Sequence, residues 1–127
     1  MSLLAIAGLL VATSCSSHGA AADSTGPIAA CSATRPIAIA VSVRDSVSGR
    51  AIADSARGTA RTDVVVDTLV RADSLTLLGG ERLGVYDVAI QRPGYRSWAR
   101  LAVQVMNTGA CGNPQTVTLN ARLQPLP

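Results

Sequence analysis

The stretch that decides the fold is residues 84–98, which read Gly-Val-Tyr-Asp-Val-Ala-Ile-Gln-Arg-Pro-Gly-Tyr-Arg-Ser-Trp. Its first half alternates, because Tyr86, Val88 and Ile90 are separated by single residues that are small or polar. Alternation with a period of two is typical of a β-strand with one buried face. A Pro-Gly pair then supplies the chemistry of a turn. The stretch therefore predicts a strand, a turn and the start of a second strand.

A turn at Pro93-Gly94 predicts the register of this hairpin. One face carries the pairs Asp87–Arg100, Ala89–Trp98 and Gln91–Arg96, and the other carries Tyr86–Leu101, Val88–Ala99 and Ile90–Ser97. The two sets separate into a polar and an apolar face, which supports this register and places Trp98 on the polar side. An L-proline fits primed hairpin turns poorly, so an alternative places the two strands in opposite sheets.

The same alternation appears on both sides of the hairpin. It is formed upstream by Ile37, Ile39, Val41 and Val43, and downstream by Val117, Leu119, Ala121 and Leu123. Shorter β-prone or apolar segments lie at residues 59–62, 64–70 and 75–78, and no segment has the period of an amphipathic helix. Six or seven short strands with Gly and Pro between them predict an all-β fold, an antiparallel Greek-key β-sandwich of about seven strands.

Several motifs in this pattern resemble one family. They are Val41-x-Val43-Arg44-Asp45, then Gly49-Arg50-Ala51-Ile52 and Asp54, then Gly84-x-Tyr86-x-Val88-x-Ile90 and Pro93-Gly94-Tyr95. Together they resemble the carboxypeptidase regulatory-like domain, a transthyretin-like (prealbumin-like) sandwich, over residues 36–125. The resemblance implies an accessory module that packs beside enzymes or on surface proteins. It also implies no catalytic residues, no metal and no cofactor, since the zinc ligands of the peptidases belong to a separate domain.

An enzyme of the same fold class is the alternative. Hydroxyisourate hydrolases are similar to transthyretin and act on a small molecule through histidines, an arginine and a C-terminal Tyr-Arg-Gly-Ser. This chain has a single histidine, His18, and ends in Leu-Gln-Pro-Leu-Pro. The internal Tyr95-Arg96-Ser97 lacks the glycine of that motif. The missing histidines and terminal motif disfavour a hydrolase.

The N-terminal segment has the features of a secretion signal. Residues 3–12 form an almost unbroken apolar run without charge, and ten residues of helix cover about 15 Å, half of a bilayer core of about 30 Å. Ala12-Thr13-Ser14-Cys15 resembles a bacterial lipobox, which implies a signal peptide over residues 1–14 and a lipid on Cys15. An ordinary secretory signal with an incidental cysteine is the alternative. By the sorting rule of that family, Ser16 favours an outer-membrane anchor, at the periplasmic or the cell-surface side.

The remaining cysteines fit an oxidising compartment. Residues 15–34 are small and polar and are expected to form a flexible tether, followed by the sandwich domain at residues 35–127. Cys31 lies just before the first predicted strand and Cys111 just before the last, and the two are expected to form a disulfide. Closing a loop of about eighty residues contributes roughly 4 to 5 kcal/mol at most in the chain-entropy model. Metal ligation by these two thiolates is the alternative, but no further Cys or His lies nearby.

Composition disfavours several classes of function. The 127 residues carry eleven basic residues, all arginine, against eight acidic ones, with a net charge of +3. No basic tail is present and aromatic residues are only 2% of the chain, which disfavours a nucleic-acid partner. One histidine and one glutamate are a poor inventory for acid–base chemistry. Asp63, Asp67 and Asp73 lack the spacing and the glycine of a calcium loop, so they are expected to be turn and edge residues.

The candidate binding face is formed by Arg96, Trp98 and Arg100, which alternate along one predicted strand. Such a ladder stacks on a sugar ring or holds an acidic polymer. The alternative is an ordinary solvated strand face, with Asp87 paired to Arg100 and Trp98 covering apolar surface. The sequence thus predicts a non-catalytic lipoprotein module of the cell envelope, anchored to the membrane by its lipid, with a structural role or with an envelope protein or glycan as its partner.

Overall fold

The structure is a computed structural model that describes Cys31 and residues 34–127. The predicted signal peptide, the predicted lipidation site Cys15 and all of the predicted tether except Cys31 and Thr34 lie outside the described residues.

Seven strands follow one another along the described chain. They are β1 Ile39–Asp45, β2 Arg57–Arg61, β3 Val66–Arg71, β4 Thr76–Gly79, β5 Gly84–Gln91, β6 Trp98–Val105 and β7 Val117–Leu123, with one 3-10 turn at Ala53–Ser55 between β1 and β2. The predicted all-β class and the number of strands are confirmed.

The strands form a single mixed sheet in the order β6-β5-β2-β3-β4-β1-β7. The prediction that all pairs are antiparallel is wrong for β1 and β7, which run parallel, with Ile39 opposite Val117 and Asp45 opposite Leu123. Both strands bury every second side chain, and alternation fixes which face is apolar but not the direction of a neighbour. The Greek-key sandwich therefore stays a prediction.

One apolar core lies on the inner face of this sheet. Every strand contributes to it: Ile39, Val41 and Val43 from β1, Ala60 from β2, Leu69 from β3, Leu77 from β4, Tyr86, Val88 and Ile90 from β5, Val103 and Val105 from β6, and Leu119, Ala121 and Leu123 from β7. The two edges of the sheet also meet at one end, because Tyr95 bridges to Pro125. The N–H of Arg96 donates to the carbonyl of Gln124 at 2.8 Å in the same place. The sheet thus curls around its core.

The hairpin of β5 and β6 forms, but the predicted register is wrong by one residue. Ala89 lies opposite Ala99 instead of Trp98, and Trp98 lies opposite Ile90. The turn spans Arg92 to Tyr95, with Gly94 at φ 83° and the N–H of Tyr95 donating to the Arg92 carbonyl at 3.1 Å. Proline followed by a glycine of positive φ matches a type II turn, whose twist does not suit a two-residue hairpin. The residues after the turn are not paired with β5, and the β5–β6 ladder begins again at Trp98, one residue out of the predicted register.

A bulge interrupts the same pair of strands. Between the pairs Tyr86–Val103 and Val88–Arg100, the single residue Asp87 faces two residues of β6. One of these is Ala102, the one described non-glycine residue with a positive φ, at 56°. Its N–H donates to Oδ1 of Asp87 at 3.0 Å. The extra residue lets both ends of β6 direct their alternate side chains toward the inner face.

Cys31 and Cys111 are both disulfide-bonded, consistent with the predicted bridge between them. Among the described residues, no helix has the length and apolar character needed to cross a bilayer.

Candidate functional site

The Trp98–Arg100 pair lies at the start of edge strand β6. Trp98 is half-buried and packs against the apolar core. The guanidinium carbon of Arg100 lies 5.9 Å from the centroid of the Trp98 ring, within the range of a cation–π contact. Arg100 itself is exposed. The pair thus combines an indole that is fixed by the core with a cation that reaches solvent.

Only two of the three predicted face residues are brought together in this way. Arg96 precedes β6, and its backbone is tied to Gln124. The one-residue shift of register moves Trp98 and Arg100 to the inner side of the sheet, because a slip of one residue exchanges the two faces of a strand. Their predicted place on the polar face is therefore wrong, and Trp98 instead covers part of the core at the edge of the sheet.

The predicted Asp87–Arg100 cross-strand pair is also wrong. Arg100 lies opposite Val88, and Asp87 accepts the N–H of Ala102. The other carboxylate oxygen of Asp87 lies 4.0 Å from a terminal nitrogen of Arg61, and the side chains of Arg61 and Asp87 are 64% and 43% exposed. Exposed pairs of this kind contribute little to stability.

A concavity of about 520 Å³ on the opposite, outer face was missed by the sequence analysis. We call it the Arg57–Arg92 concavity. Its lining residues are Ser55, Arg57, Gln91, Arg92, Pro93, Tyr95 and Ser97. Arg57, at the start of β2, lies directly opposite Gln91, at the end of β5. The adjacency depends on the pairing of β2 with β5, and nothing in the local sequence of either strand indicates it.

Arg92 is held rigidly in this concavity. Its Nε donates to the carbonyl of Ile52 at 3.0 Å, and one terminal nitrogen lies 3.5 Å from Oδ1 of Asp54. Its guanidinium carbon lies 5.1 Å from the centroid of the Tyr95 ring. Only 18% of the side chain is exposed. These contacts fix the orientation of the guanidinium in advance.

The Tyr95 hydroxyl joins this region to the loop after β1. It donates to Oδ2 of Asp45 at 2.8 Å, while Oδ1 accepts the N–H groups of Val47 and Ser48 at 2.7 and 3.0 Å. The Ser48 N–H above all, then the Tyr95 hydroxyl, holds the pKa of Asp45 below its usual value. The same bond to Asp45 raises the pKa of Tyr95. Asp45 thus has a structural role, because it stabilises a turn and anchors Tyr95.

Of the three aspartates expected at turns and edges, Asp73 stabilises a turn. Oδ1 of Asp73 accepts the N–H groups of Leu75 and Thr76 at 2.8 and 2.7 Å, which is the expected role of a turn aspartate. These bonds lower the pKa of Asp73. The described part of the chain contains no group of three or more His, Cys, Asp or Glu that could hold a metal ion.

No protein-family model and no curated protein matches this chain. The resemblance to carboxypeptidase regulatory-like domains therefore stays a prediction.

Proposed function

We propose that this protein is a non-catalytic module of the cell envelope, anchored by a lipid on Cys15, that binds an envelope glycan at the Trp98–Arg100 pair. The observation that carries the proposal is the placement of a half-buried tryptophan on an edge strand with an exposed arginine beside its ring. Core packing holds the indole still, so a ligand meets a surface that is already ordered.

The chemistry of the pair suits a sugar. The part of the indole that reaches solvent offers an apolar surface on which a sugar ring packs, and the ring carries a polar N–H. The guanidinium of Arg100 brings several donors with fixed geometry to the same place. Arg96 lies two residues before Trp98 but outside the strand, so we assign it a secondary role at the rim of the site.

The causes of the displaced pKa values indicate structural roles for the groups concerned. Asp45 and Asp73 owe their lowered pKa values first to backbone N–H groups of their own turns. Burial raises the pKa of Tyr86, whose hydroxyl donates to the carbonyl of Arg82 at 2.9 Å. Tyr95 is bonded to Asp45. Catalytic groups combine a displaced pKa with access to a substrate, whereas these four groups have structural partners.

The proposed location rests on the sequence of the N-terminus and on the disulfide. The apolar run and the motif that ends in Cys15 favour export and lipidation, and a disulfide between Cys31 and Cys111 fits an oxidising compartment. We propose an extracytoplasmic protein on the outer membrane, facing the periplasm or the cell surface. An envelope protein is the second possible partner, and no nucleic acid is involved.

Tryptophan fluorescence tests the glycan site, because Trp98 is the one tryptophan of the chain. We expect soluble peptidoglycan fragments to shift its emission saturably. Arg100→Gln should weaken this binding about tenfold, the effect of losing one hydrogen bond to a charged group. Arg122→Gln, an exposed arginine on β7, is the matched control and should bind like the unmodified protein. If no fragment changes the emission spectrum, the glycan site at Trp98 is excluded. A structural role or a protein partner is then favoured.

The anchor is tested separately by Cys15→Ser. We expect the unmodified protein in the membrane fraction and the variant in the soluble extracytoplasmic fraction, because the variant has no thiol for the lipid. Equal membrane association of the protein with and without Cys15 would argue against lipidation there.

A further inference from the structure

The Arg57–Arg92 concavity has the composition of an anion site. Two guanidinium groups, the amide of Gln91 and the hydroxyls of Ser55 and Ser97 line it. Most of these groups are hydrogen-bond donors, and arginine in particular binds carboxylates through two parallel bonds. The walls also include Pro93 and the ring of Tyr95, which offer apolar surface beside the donors.

The two arginines differ in the contacts that their side chains make with the rest of the protein. Arg92 is fixed by Ile52, Asp54 and Tyr95. Arg57 is exposed, and its guanidinium makes no hydrogen bond or ion pair to the described part of the chain. One cation is thus oriented in advance and the other has donors left for a ligand. This division lowers the entropy lost on binding while leaving unused hydrogen-bonding capacity.

The charge of the site selects among anions. Arg57 and Arg92 line the site, and Asp54 lies 3.5 Å from Arg92. Asp45 is bonded to the hydroxyl of the lining residue Tyr95 at 2.8 Å, and the positive charge of Arg50 acts on the same tyrosine. Three positive and two negative charges thus lie in and beside the site. The sum is +1, so a bound carboxylate leaves the site neutral, whereas a phosphate group carrying about −1.5 to −2 near neutral pH leaves a partly desolvated negative charge without compensation. A volume of about 520 Å³ lies within the range of small-molecule sites and admits a single sugar ring.

We propose that the Arg57–Arg92 concavity binds a carboxylated monosaccharide, a sugar of the uronic acid class, with its carboxylate between Arg57 and Arg92. Gln91 and Ser97 donate to the ring hydroxyls, and the sugar ring lies along Pro93 and Tyr95. This site goes beyond the proposed glycan site at Trp98, because the two share no residue. Trp98 and Arg100 are on the inner side of β6, whereas Arg57 and Gln91 are paired on the outer face of β2 and β5. Either one can fail without the other.

The test is a titration of the full chain followed by nuclear magnetic resonance, with the Nε–H of Arg92 and the side-chain amide of Gln91 as reporters. D-glucuronate is the probe, D-glucose is the uncharged control of the same size, and inorganic phosphate is the dianion control. We expect saturable shifts of both reporters with glucuronate, none with glucose, and weaker binding of phosphate. No saturable shift with glucuronate overturns the proposal. Phosphate binding as tight as glucuronate overturns the assignment to a carboxylate.

Two variants distinguish specific binding of glucuronate in the concavity from general attraction of an anion to a basic protein. Arg57→Gln should weaken glucuronate binding at least tenfold. Arg61→Gln, which removes an exposed arginine from the same face of the same strand, should leave it unchanged. Equal weakening by both variants overturns the proposal, because it indicates only long-range charge. The backbone spectrum of each variant verifies that the fold is retained.

Asp54→Asn gives a test by gain of affinity. It raises the charge of the site from +1 to +2 and leaves Arg92 bonded to the carbonyl of Ile52. We expect glucuronate to bind severalfold tighter, and phosphate to gain more than glucuronate because its charge is larger. Unchanged or weaker binding of both anions overturns the charge balance on which the proposal rests.

Discussion

The pair β1–β7 and the pair β5–β6 contrast within one sheet. β1 and β7 make seven consecutive pairs without interruption, and alternate side chains of both strands are buried in the core. β5 and β6 pair with a break at Asp87, and the first five residues of β6 are half-buried or exposed. Regular alternation on both strands determines a register, whereas a strand whose own pattern is weak takes its register from turns and bulges.

The largest effect should come from deleting the same side chain in the two regions. Leu123 on β7 is fully buried, and Leu101 on β6 is 69% exposed. Leu123→Ala should lower the free energy of unfolding by about 2 to 5 kcal/mol, because it leaves a cavity in the core. Leu101→Ala should change it by less than about 0.5 kcal/mol. Urea unfolding measures both, and similar losses would mean that the outer face of β6 is covered.

The disulfide should have the next largest effect, because Cys111 lies in the connection between β6 and β7. Replacing Cys31 and Cys111 together by alanine should lower the free energy of unfolding by about 2 to 4 kcal/mol, since the bridge restricts the unfolded chain. The control is the unmodified protein treated with a reducing agent, which should unfold at the same urea concentration as the double variant. An unchanged midpoint in both samples would show that the bridge contributes nothing.

Glycine substitutions at two alanines of β6 should change the free energy of unfolding by smaller amounts and in opposite directions. The difference tests the position of the bulge. Ala102 has a φ of 56°, where an alanine costs roughly 1 to 2 kcal/mol, so Ala102→Gly should raise the free energy of unfolding by up to about 1 kcal/mol. Ala99 pairs regularly with Ala89, and Ala99→Gly should lower it by about 0.5 to 1 kcal/mol. Chemical denaturation measures the free energy of unfolding of both variants. Loss of stability in both variants would place Ala102 in ordinary extended backbone.

The smallest effect should appear at acid pH. The pKa of Asp45 is lowered in the folded protein, so its contribution to stability is present above the unfolded value of about 3.9 and is lost as pH falls through the folded value. Asp45→Asn should therefore flatten the fall in the urea midpoint between about pH 6 and pH 2. Asp63→Asn, at an exposed turn position, is the control. A pH profile that Asp45→Asn leaves unaltered would contradict this role.

Alternation was sufficient to predict much of the fold. The buried residues of β1 and β7 were all predicted from their period of two, and so was the inner face of β5 formed by Tyr86, Val88 and Ile90. The parallel direction of β7 was not predicted, because it depends on where a long connection returns to the sheet. The register of β6 was not predicted either, since its first residues, Trp98 and Ala99, do not separate into apolar and polar faces.

The candidate site was harder to predict than the fold. A spacing of two placed Trp98 and Arg100 on one face of one strand, which is correct, but a shift of one residue decided which face. The Arg57–Arg92 concavity combines the start of β2 with the turn after β5. Those segments are far apart in the chain and meet only through the β2–β5 pairing, which no local pattern encodes.

The parallel contact of β1 with β7 also joins two distant parts of the chain. Ser42 and Asn120 are 78 residues apart in the sequence, yet their side chains bond at 2.7 Å. A nascent chain therefore holds β1 with one side unpaired until β7 has been synthesised. Folds with such distant contacts close slowly. A chain of this topology can pass through a narrow channel while it is still extended. It reaches its final fold only after both β1 and β7 have left the channel on the same side.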